Sequence, residues 1–120
     1  MNIGKIGEKI ASNYLSELKY EILCRNYHSI YGEIDIICEN RDYIVFVEVK
    51  SKKNTSISNL SERVNYSKKE KIVKTVCQYL SENSNKKQPR IDVIEVIILK
   101  NSNKIYHIEN AFGMINFEFF

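Results

Sequence analysis

The sequence predicts a single α/β domain, in which a mixed β-sheet is flanked by helices in the order α-β-β-β-α-β-β. Two stretches carry apolar residues at helical spacing, and five short stretches show the alternation or β-branched runs typical of strands. The second helical stretch separates the third and fourth strands, and a connection of that length permits parallel pairing. At 120 residues the chain suits one core, so we expect residues 1–120 to form one domain.

The composition is that of an ordinary soluble globular protein, with 43% hydrophobic and 28% charged residues. No apolar run approaches the roughly 18 residues of a membrane span, and the N-terminus lacks a signal-peptide core, so we expect a cytoplasmic protein. Cys24, Cys38 and Cys77 lie far apart at apolar positions, which indicates buried free thiols rather than a zinc site. His28 and His107 are isolated and receive no catalytic role.

The net charge of +3 is unevenly distributed along the chain. Residues 1–49 carry a net charge of −3, residues 50–90 carry +8, and residues 91–120 carry −2. An acidic centre bordered by a basic segment suits a polyanion whose phosphates approach the acids. A lysine-rich solvated helix is the alternative explanation.

The first predicted element is an amphipathic helix over residues 4–19. Its apolar stripe comprises Ile3, Gly7, Ile10, Tyr14 and Leu18, widened by Ala11 and Leu15. Gly4 and Gly7 each weaken a helix by roughly 1 kcal/mol relative to alanine, so we expect close approach of this helix to the sheet or to a ligand. Glu8 lies at the edge of the stripe, as a candidate site residue or as a first-turn acid favoured by the helix dipole.

A strand over residues 20–30, with a bend or edge at Arg25-Asn26, leads into a hairpin over residues 32–50. Centring the hairpin between Arg41 and Asp42 sets its register. One face of its first strand is predicted to carry Ile34, Ile36 and Cys38, and the opposite face Glu33, Asp35, Ile37 and Glu39. This register places Asp35 across from Glu48 and Glu33 across from Lys50.

The opposed acids Asp35 and Glu48 repel each other and destabilise a sheet unless a cation lies between them. We interpret the pair as a divalent-metal site with Lys50 beside it. Acids at alternate strand positions are also typical of a merely solvated sheet face. Apolar residues on the same face favour partial burial and hence the metal site; they are Ile37, Ile44 and Phe46.

A long polar stretch, SKKNTSISNLSER, follows Lys50, and a second helix is predicted from residue 60 or 66 to residue 83. Lys68 extends the buried face of this helix, as a phosphate contact or as a lysine that snorkels at the core's edge. Lys69 and Lys71 point elsewhere and enlarge the basic surface. The predicted nucleic-acid contacts are Lys52, Lys53, Arg63, Lys68, Lys69 and Lys71.

The last two strands are predicted over residues 90–100 and 104–108, joined by a turn at 101–103. Asp92 is a single acid in a strand, which is usually a surface position, and we leave it out of the site. The aromatic tail over residues 111–120 is expected to cover the core or to meet a second subunit.

Several blocks of the sequence, in order along nearly its whole length, carry a resemblance. They are Gly7-Glu8, Tyr20, Arg25-Asn26, Gly32-Glu33-Ile34-Asp35, Phe46-Val47-Glu48-Val49-Lys50, Lys68, Arg90-Ile91-Asp92-Val93 and Asn110-Ala111-Phe112. Asp35 followed by Glu48-Val49-Lys50 resembles the PD-(D/E)xK nuclease signature. The whole chain resembles the YraN-like family of small uncharacterised proteins, related by fold to archaeal Holliday-junction resolvases. The resemblance implies a restriction-endonuclease-like fold and a metal-site role for Glu8.

We therefore expect a metal-dependent DNA endonuclease that hydrolyses phosphodiester bonds, with selectivity for branched DNA as a further expectation. Asp35, Glu48, the carbonyl of Val49 and Glu8 would hold Mg²⁺ or Mn²⁺. Lys50 would orient the attacking water or neutralise developing charge, and Glu33 would hold its ammonium in place. Symmetric cutting of a four-way junction would need a homodimer, although the sequence has no clean interface signature.

Two alternatives stay open. The first is a non-catalytic nucleic-acid-binding module that retains the nuclease fold. The chain departs from the family's usual residues at His28, Lys52 and loop 56–59, and these departures concern DNA contacts more than the acids. The second is a structural interaction domain, in which Asp35→Asn and Glu48→Gln would raise stability without changing any nucleic-acid activity.

Overall fold

A computed structural model describes residues 2–53 and 66–113. In chain order, its elements are α1 Ile3–Glu17, β1 Glu21–His28, β2 Glu33–Glu39, β3 Tyr43–Lys53, α2 Tyr66–Glu82, β4 Gln88–Ile98 and β5 Asn103–Ile108. This is the predicted α-β-β-β-α-β-β order, with element ends within a few residues of the predicted ones. The predicted contact Arg63 and most of the aromatic tail lie outside the described residues. None of the described helices is long and apolar enough to cross a membrane.

The five strands form one sheet in the order β1-β2-β3-β4-β5. Strands β3 and β4 are parallel, and the other neighbouring pairs are antiparallel. The parallel pair is joined through the connection that contains α2, as the length of that connection predicts. The prediction of a mixed α/β sheet is confirmed.

Each face of the sheet has its own apolar core, because side chains alternate along β2, β3 and β4. Helix α1 covers one face, which we call the α1 face; its buried cluster is Ala11, Leu15, Ile36, Cys38, Val45, Val47, Ile94 and Val96. Helix α2 covers the other, the α2 face; its cluster is Ile34, Ile37, Ile44, Phe46, Ile72, Val73, Val76 and Ile91. The three cysteines are free as expected, but only Cys38 is fully buried.

Helix α1 packs against the sheet through small residues. Gly7 and Ala11 are buried, and a Cβ atom added at Gly7 would lie 2.8 Å from Cβ of Ser51 in β3. The expected close approach is therefore confirmed at Gly7. Leu18 is not part of the buried stripe and is 49% exposed. The helix ends at Glu17, and the positive φ of 74° at Lys19 turns the chain away beyond it.

Candidate functional site

The candidate site lies where β2 and β3 separate. Their register runs from Glu39 opposite Ile44 to Ile36 opposite Val47, as predicted for a hairpin centred between residues 41 and 42. Beyond Ile36, β2 stays paired with β1, whereas β3 continues along β4 to its end at Lys53. The sheet thus forks. We call this region, formed by residues 33–35 of β2 and 48–50 of β3, the fork.

Asp35 occupies the fork. Its Oδ2 accepts a hydrogen bond of 2.8 Å from the backbone N–H of Val49, so a carboxylate stands beside β3 where the backbone ladder has stopped. The N–H and C=O of one residue point to the same edge of a strand, so the Val49 carbonyl also faces the fork. The face alternation of β2 changes here too. Ile34, predicted on the face of Ile36, instead packs with Ile37 in the core beneath α2.

The carboxyl group of Asp35 lies beside that of Glu48. Burial, then the charge of Glu48 and a hydrogen bond between the two carboxyl groups, raise the pKa of Asp35 to about 7, against the opposing bond from Val49. Asp35 is only 8% exposed. The two acids that the hairpin register predicted to face each other are therefore in contact.

Glu8 of α1 reaches the same neighbourhood from the α1 face of the sheet. Burial and the charge of Asp35 raise its pKa, while Arg25 and a hydrogen bond with Asn26 counteract the rise. Within residues 2–53 and 66–113, no three His, Cys, Asp or Glu side chains are clustered as a metal-binding group. Glu8 is an electrostatic neighbour of Asp35, and its predicted role as a metal ligand stays a prediction.

Glu33 does not adopt the predicted position across from Lys50. Because β2 has left β3 at this point, Glu33 is in register with His28 of β1 instead. Its carboxylate lies 3.2 Å from Nδ1 of His28 at the exposed edge of the fork. The prediction that Glu33 lies across from Lys50 is wrong, because the hairpin register does not extend past Ile36.

The lysines predicted to contact nucleic acid divide between two regions. Lys68 Nζ lies 4.0 Å from Oε2 of Glu48, and Lys71, predicted to point elsewhere, lines the same cleft as Lys68. Lys69 turns to the ring of Phe112, 5.4 Å from its centroid. Lys53 is exposed at the end of β3. The basic surface therefore includes two lysines beside the acid pair.

Comparison with known proteins identifies the family. A sequence profile described as "uncharacterised protein family UPF0102" matches residues 7–96. The chain belongs to the UPF0102 family. It is 43% identical over 114 residues to a UPF0102 protein of Caldanaerobacter subterraneus, covering 92% of this chain and 93% of that one. It is 47% identical over 113 residues to a UPF0102 protein of Clostridium acetobutylicum, with coverage of 91% and 92%. The expected family membership is confirmed.

In this UPF0102 protein the site continues onto β4 through a residue that sequence reasoning missed. Glu95 is 4% exposed, is the register partner of Lys50, and lies 3.9 Å from Nζ of Lys52. Lys50 and Lys52 follow Glu48 at alternate positions and so share its face of the sheet. The sequence did contain a signal for Glu95, since it is an acid within the apolar run of β4. Such an acid is expected to be buried and therefore to need a charged or hydrogen-bonding partner.

Asp92 is also buried, contrary to the expected surface position. Its side chain is 0% exposed and accepts hydrogen bonds of 2.9 Å from Nε and from Nη2 of Arg90. His107 Nε2 lies 2.7 Å away, and the N–H of Asn110 donates at 3.0 Å. Burial would raise the pKa of Asp92, but the bonds from His107 and Arg90 outweigh it and hold the pKa below its usual value.

The Asp92 network extends to α1. The hydroxyl of Tyr14 lies 2.9 Å from Nδ1 of His107, and Arg90 donates to the hydroxyl of Tyr20 at 2.6 Å. Asp92 is opposite Val47 in the register and therefore lies on the α1 face, whereas Glu48 lies on the α2 face. The network links β4 and β5 to α1 around the buried Asp92 and Arg90, which predicts a structural role for it in the UPF0102 chain.

Proposed function

We propose that this UPF0102 protein is a metal-dependent DNA endonuclease. The observation that carries the proposal is the contact between Asp35 and Glu48 in the fork, where burial and then the charge of Glu48 raise the pKa of Asp35 to about 7. Asp35 is buried and Glu48 is half-buried, and two such carboxyl groups in contact destabilise a fold, so their arrangement calls for a positive partner. A proton can serve as that partner at low pH, and a divalent cation can serve at neutral pH.

The donor set fits a hard cation such as Mg²⁺ or Mn²⁺. Protein-bound Mg²⁺ commonly takes one or two carboxylates and fills its other positions with waters and substrate phosphates. Asp35 and Glu48 would be those two carboxylates, and strand geometry directs the Val49 carbonyl to the same edge as its N–H, which bonds Asp35. A cation held there would supply an activated water near neutral pH and would stabilise charge on the phosphate.

The chain's own lysines would bind and orient the DNA. Lys68 lies beside Glu48 and Lys71 lines the adjoining cleft, so both can contact phosphates next to the acid pair. Lys50 projects on the face of Glu48 two residues away and would stabilise negative charge that develops on the phosphate. The charge of +8 over residues 50–90 favours association with a polyanion.

The test is a cleavage assay on labelled linear, flap and four-way DNA with Mg²⁺, Mn²⁺ or EDTA. We expect cleavage that requires the metal and that falls at least about 100-fold in Lys50→Ala. Lys104→Ala, which removes an exposed lysine of β5, is the matched control and should cleave normally. An absence of metal-dependent cleavage on all three substrates would contradict the proposal.

A DNA-binding module without cleavage is the second candidate. It is favoured by the charge of +8 over residues 50–90, which suits binding of a polyanion whether or not the bound DNA is cleaved. This candidate predicts binding that weakens steeply with salt and that is unchanged by EDTA. Selectivity for branched DNA and a homodimer that cuts two strands belong to the endonuclease proposal, and the four-way substrate tests both.

A further inference from the structure

A cleft opens beside Glu48, between the N-terminal part of α2 and the turn that precedes β2. Its volume is about 410 Å³, within the range of pockets that hold small ligands. The cleft is lined by Tyr31, Gly32, Glu33, Glu48, Lys68, Lys71, Ile72 and Thr75. One wall is therefore aromatic, Ile72 supplies an apolar surface, and two ammonium groups lie at its sides.

The aromatic wall is held in place by hydrogen bonds between the turn and α2. The hydroxyl oxygen of Ser29 accepts from the N–H groups of Tyr31 at 3.0 Å and Gly32 at 3.2 Å. The same hydroxyl lies 3.1 Å from that of Thr75, which in turn donates to the carbonyl of Lys71 at 2.8 Å. Thr75 is 0% exposed. The turn that carries Tyr31 is therefore tied to the helix through a half-buried hydroxyl of Ser29 and a buried hydroxyl of Thr75.

The ring of Tyr31 is partly exposed, and an ammonium group lies over one of its faces. The residue is 40% exposed, and Nζ of Lys74 lies 5.7 Å from the ring centroid. Both acids that line the cleft have a basic neighbour, since Glu48 lies near Lys68 and Glu33 near His28. The cleft thus combines an aromatic face for a base with lysines for phosphates, which is the combination found in single-strand binding sites.

We propose that this cleft binds one unpaired nucleotide next to the acid pair, with its base stacked on Tyr31 and its phosphates at Lys68 and Lys71. In a continuous duplex the bases lie within the stack and cannot enter such a cleft unless one is extruded. The substrate class is therefore DNA with an unpaired nucleotide at the site of cleavage. This inference rests on the proposed function for its assignment of DNA as the ligand.

The test is an equilibrium binding experiment in EDTA, in which the fluorescence anisotropy of labelled duplexes measures the bound fraction. One duplex carries a single bulged nucleotide, a second carries an abasic bulge at the same position, and a third is fully paired. We expect the wild-type protein to bind the base-containing bulge about tenfold more tightly than the abasic bulge. Tyr31→Ala should lose that difference, and Tyr31→Phe, which keeps the ring, should retain it.

Tyr106→Ala is the matched control, because Tyr106 is also 40% exposed but lies on β5 outside the cleft. It should bind all three duplexes like the wild type. Lys71→Ala should weaken binding of both bulged duplexes to a similar extent, since it removes a phosphate contact. Equal wild-type affinity for the base-containing and abasic bulges would overturn the inference, as would a difference that survives in a folded Tyr31→Ala protein.

The endonuclease proposal and the cleft proposal can be contradicted independently of each other. A Tyr31-dependent preference for the base-containing bulge, combined with no cleavage in Mg²⁺, would contradict the endonuclease and support the cleft. Metal-dependent cleavage without any such preference would support the endonuclease and contradict the cleft. Circular dichroism of each variant establishes that a loss of binding does not reflect a loss of folding.

Discussion

At the scale of single residues, the ionised form of Asp35 is the most strongly disfavoured charge of the fork. Its folded-state pKa of about 7 lies above the ordinary value of about 4. The folded protein therefore binds more protons than the unfolded chain across this window. Without a metal, stability must fall as the pH rises from about 4 to about 7, and the loss is complete above pH 7.

Asp35→Asn should remove this pH dependence. The amide can still accept from the N–H of Val49 and can donate to Glu48, so a repulsive contact becomes a hydrogen bond. In EDTA at pH 8 we expect the variant to be more stable than the wild type, by up to about 4 kcal/mol. Urea unfolding at several pH values measures this, with the exposed Asp42→Asn as a control that should change little. Equal slopes of stability against pH in Asp35→Asn and wild type would contradict the raised pKa of Asp35.

At the scale of elements, the fork depends on how α1 and the hairpin are packed. The helix approaches β3 at Ser51, immediately after Lys50, and Gly7 makes that approach possible. Helix propensity alone would favour alanine at Gly7 by about 1 kcal/mol. Tertiary packing overrides this preference, because the added methyl group would meet Ser51 in the strand that carries Glu48 and Lys50.

Gly7→Ala should therefore destabilise the protein by about 1–3 kcal/mol, the usual range for an overpacked contact. The matched control is Gly4→Ala, whose added Cβ would meet only the side chain of Asn2 at 3.3 Å. That substitution should leave stability unchanged or raise it by up to about 1 kcal/mol. Thermal or urea unfolding of the two variants makes the comparison, and a Gly7→Ala protein as stable as Gly4→Ala would contradict the described packing.

At the scale of the whole molecule, the two faces of the sheet have different polar centres. The fork lies at the end of the β2–β3 pairing, with Lys68 and the cleft on the α2 face. On the α1 face, the buried Asp92 network joins β4, β5 and α1 through Arg90, His107 and Tyr14. The first centre has the chemistry proposed for function, and the second joins β4 and β5 to α1.

Removing Asp92 should be among the most damaging changes to stability. Asp92→Ala leaves the guanidinium of Arg90 buried without its bidentate partner, and we expect a loss of about 3–5 kcal/mol. Glu109 also contacts Arg90, at 3.5 Å, but its side chain is 61% exposed. Glu109→Gln should therefore cost less than about 1 kcal/mol. Similar losses in the two variants, measured by urea unfolding, would contradict the structural role of the network.

Much of this arrangement follows from local sequence rules, and the remainder depends on tertiary contacts. The polar turn at residues 39–42 and the apolar alternation around it set the hairpin register, so the meeting of Asp35 and Glu48 could be predicted. The fork could not, because the end of a ladder depends on which neighbour each strand follows. The expected surface position of Asp92 was wrong for a similar reason. Its partners His107 and Asn110 are far along the chain and contact it only in the folded sheet.

The most direct test of the account is divalent-cation binding, measured as bound Mn²⁺ by electron paramagnetic resonance in the absence of DNA. We expect about one Mn²⁺ per chain in the wild type, with affinity reduced at least about tenfold in Asp35→Asn and in Glu48→Gln. Asp42→Asn should bind like the wild type. Wild-type Mn²⁺ affinity in both fork variants would show that Asp35 and Glu48 do not hold a cation.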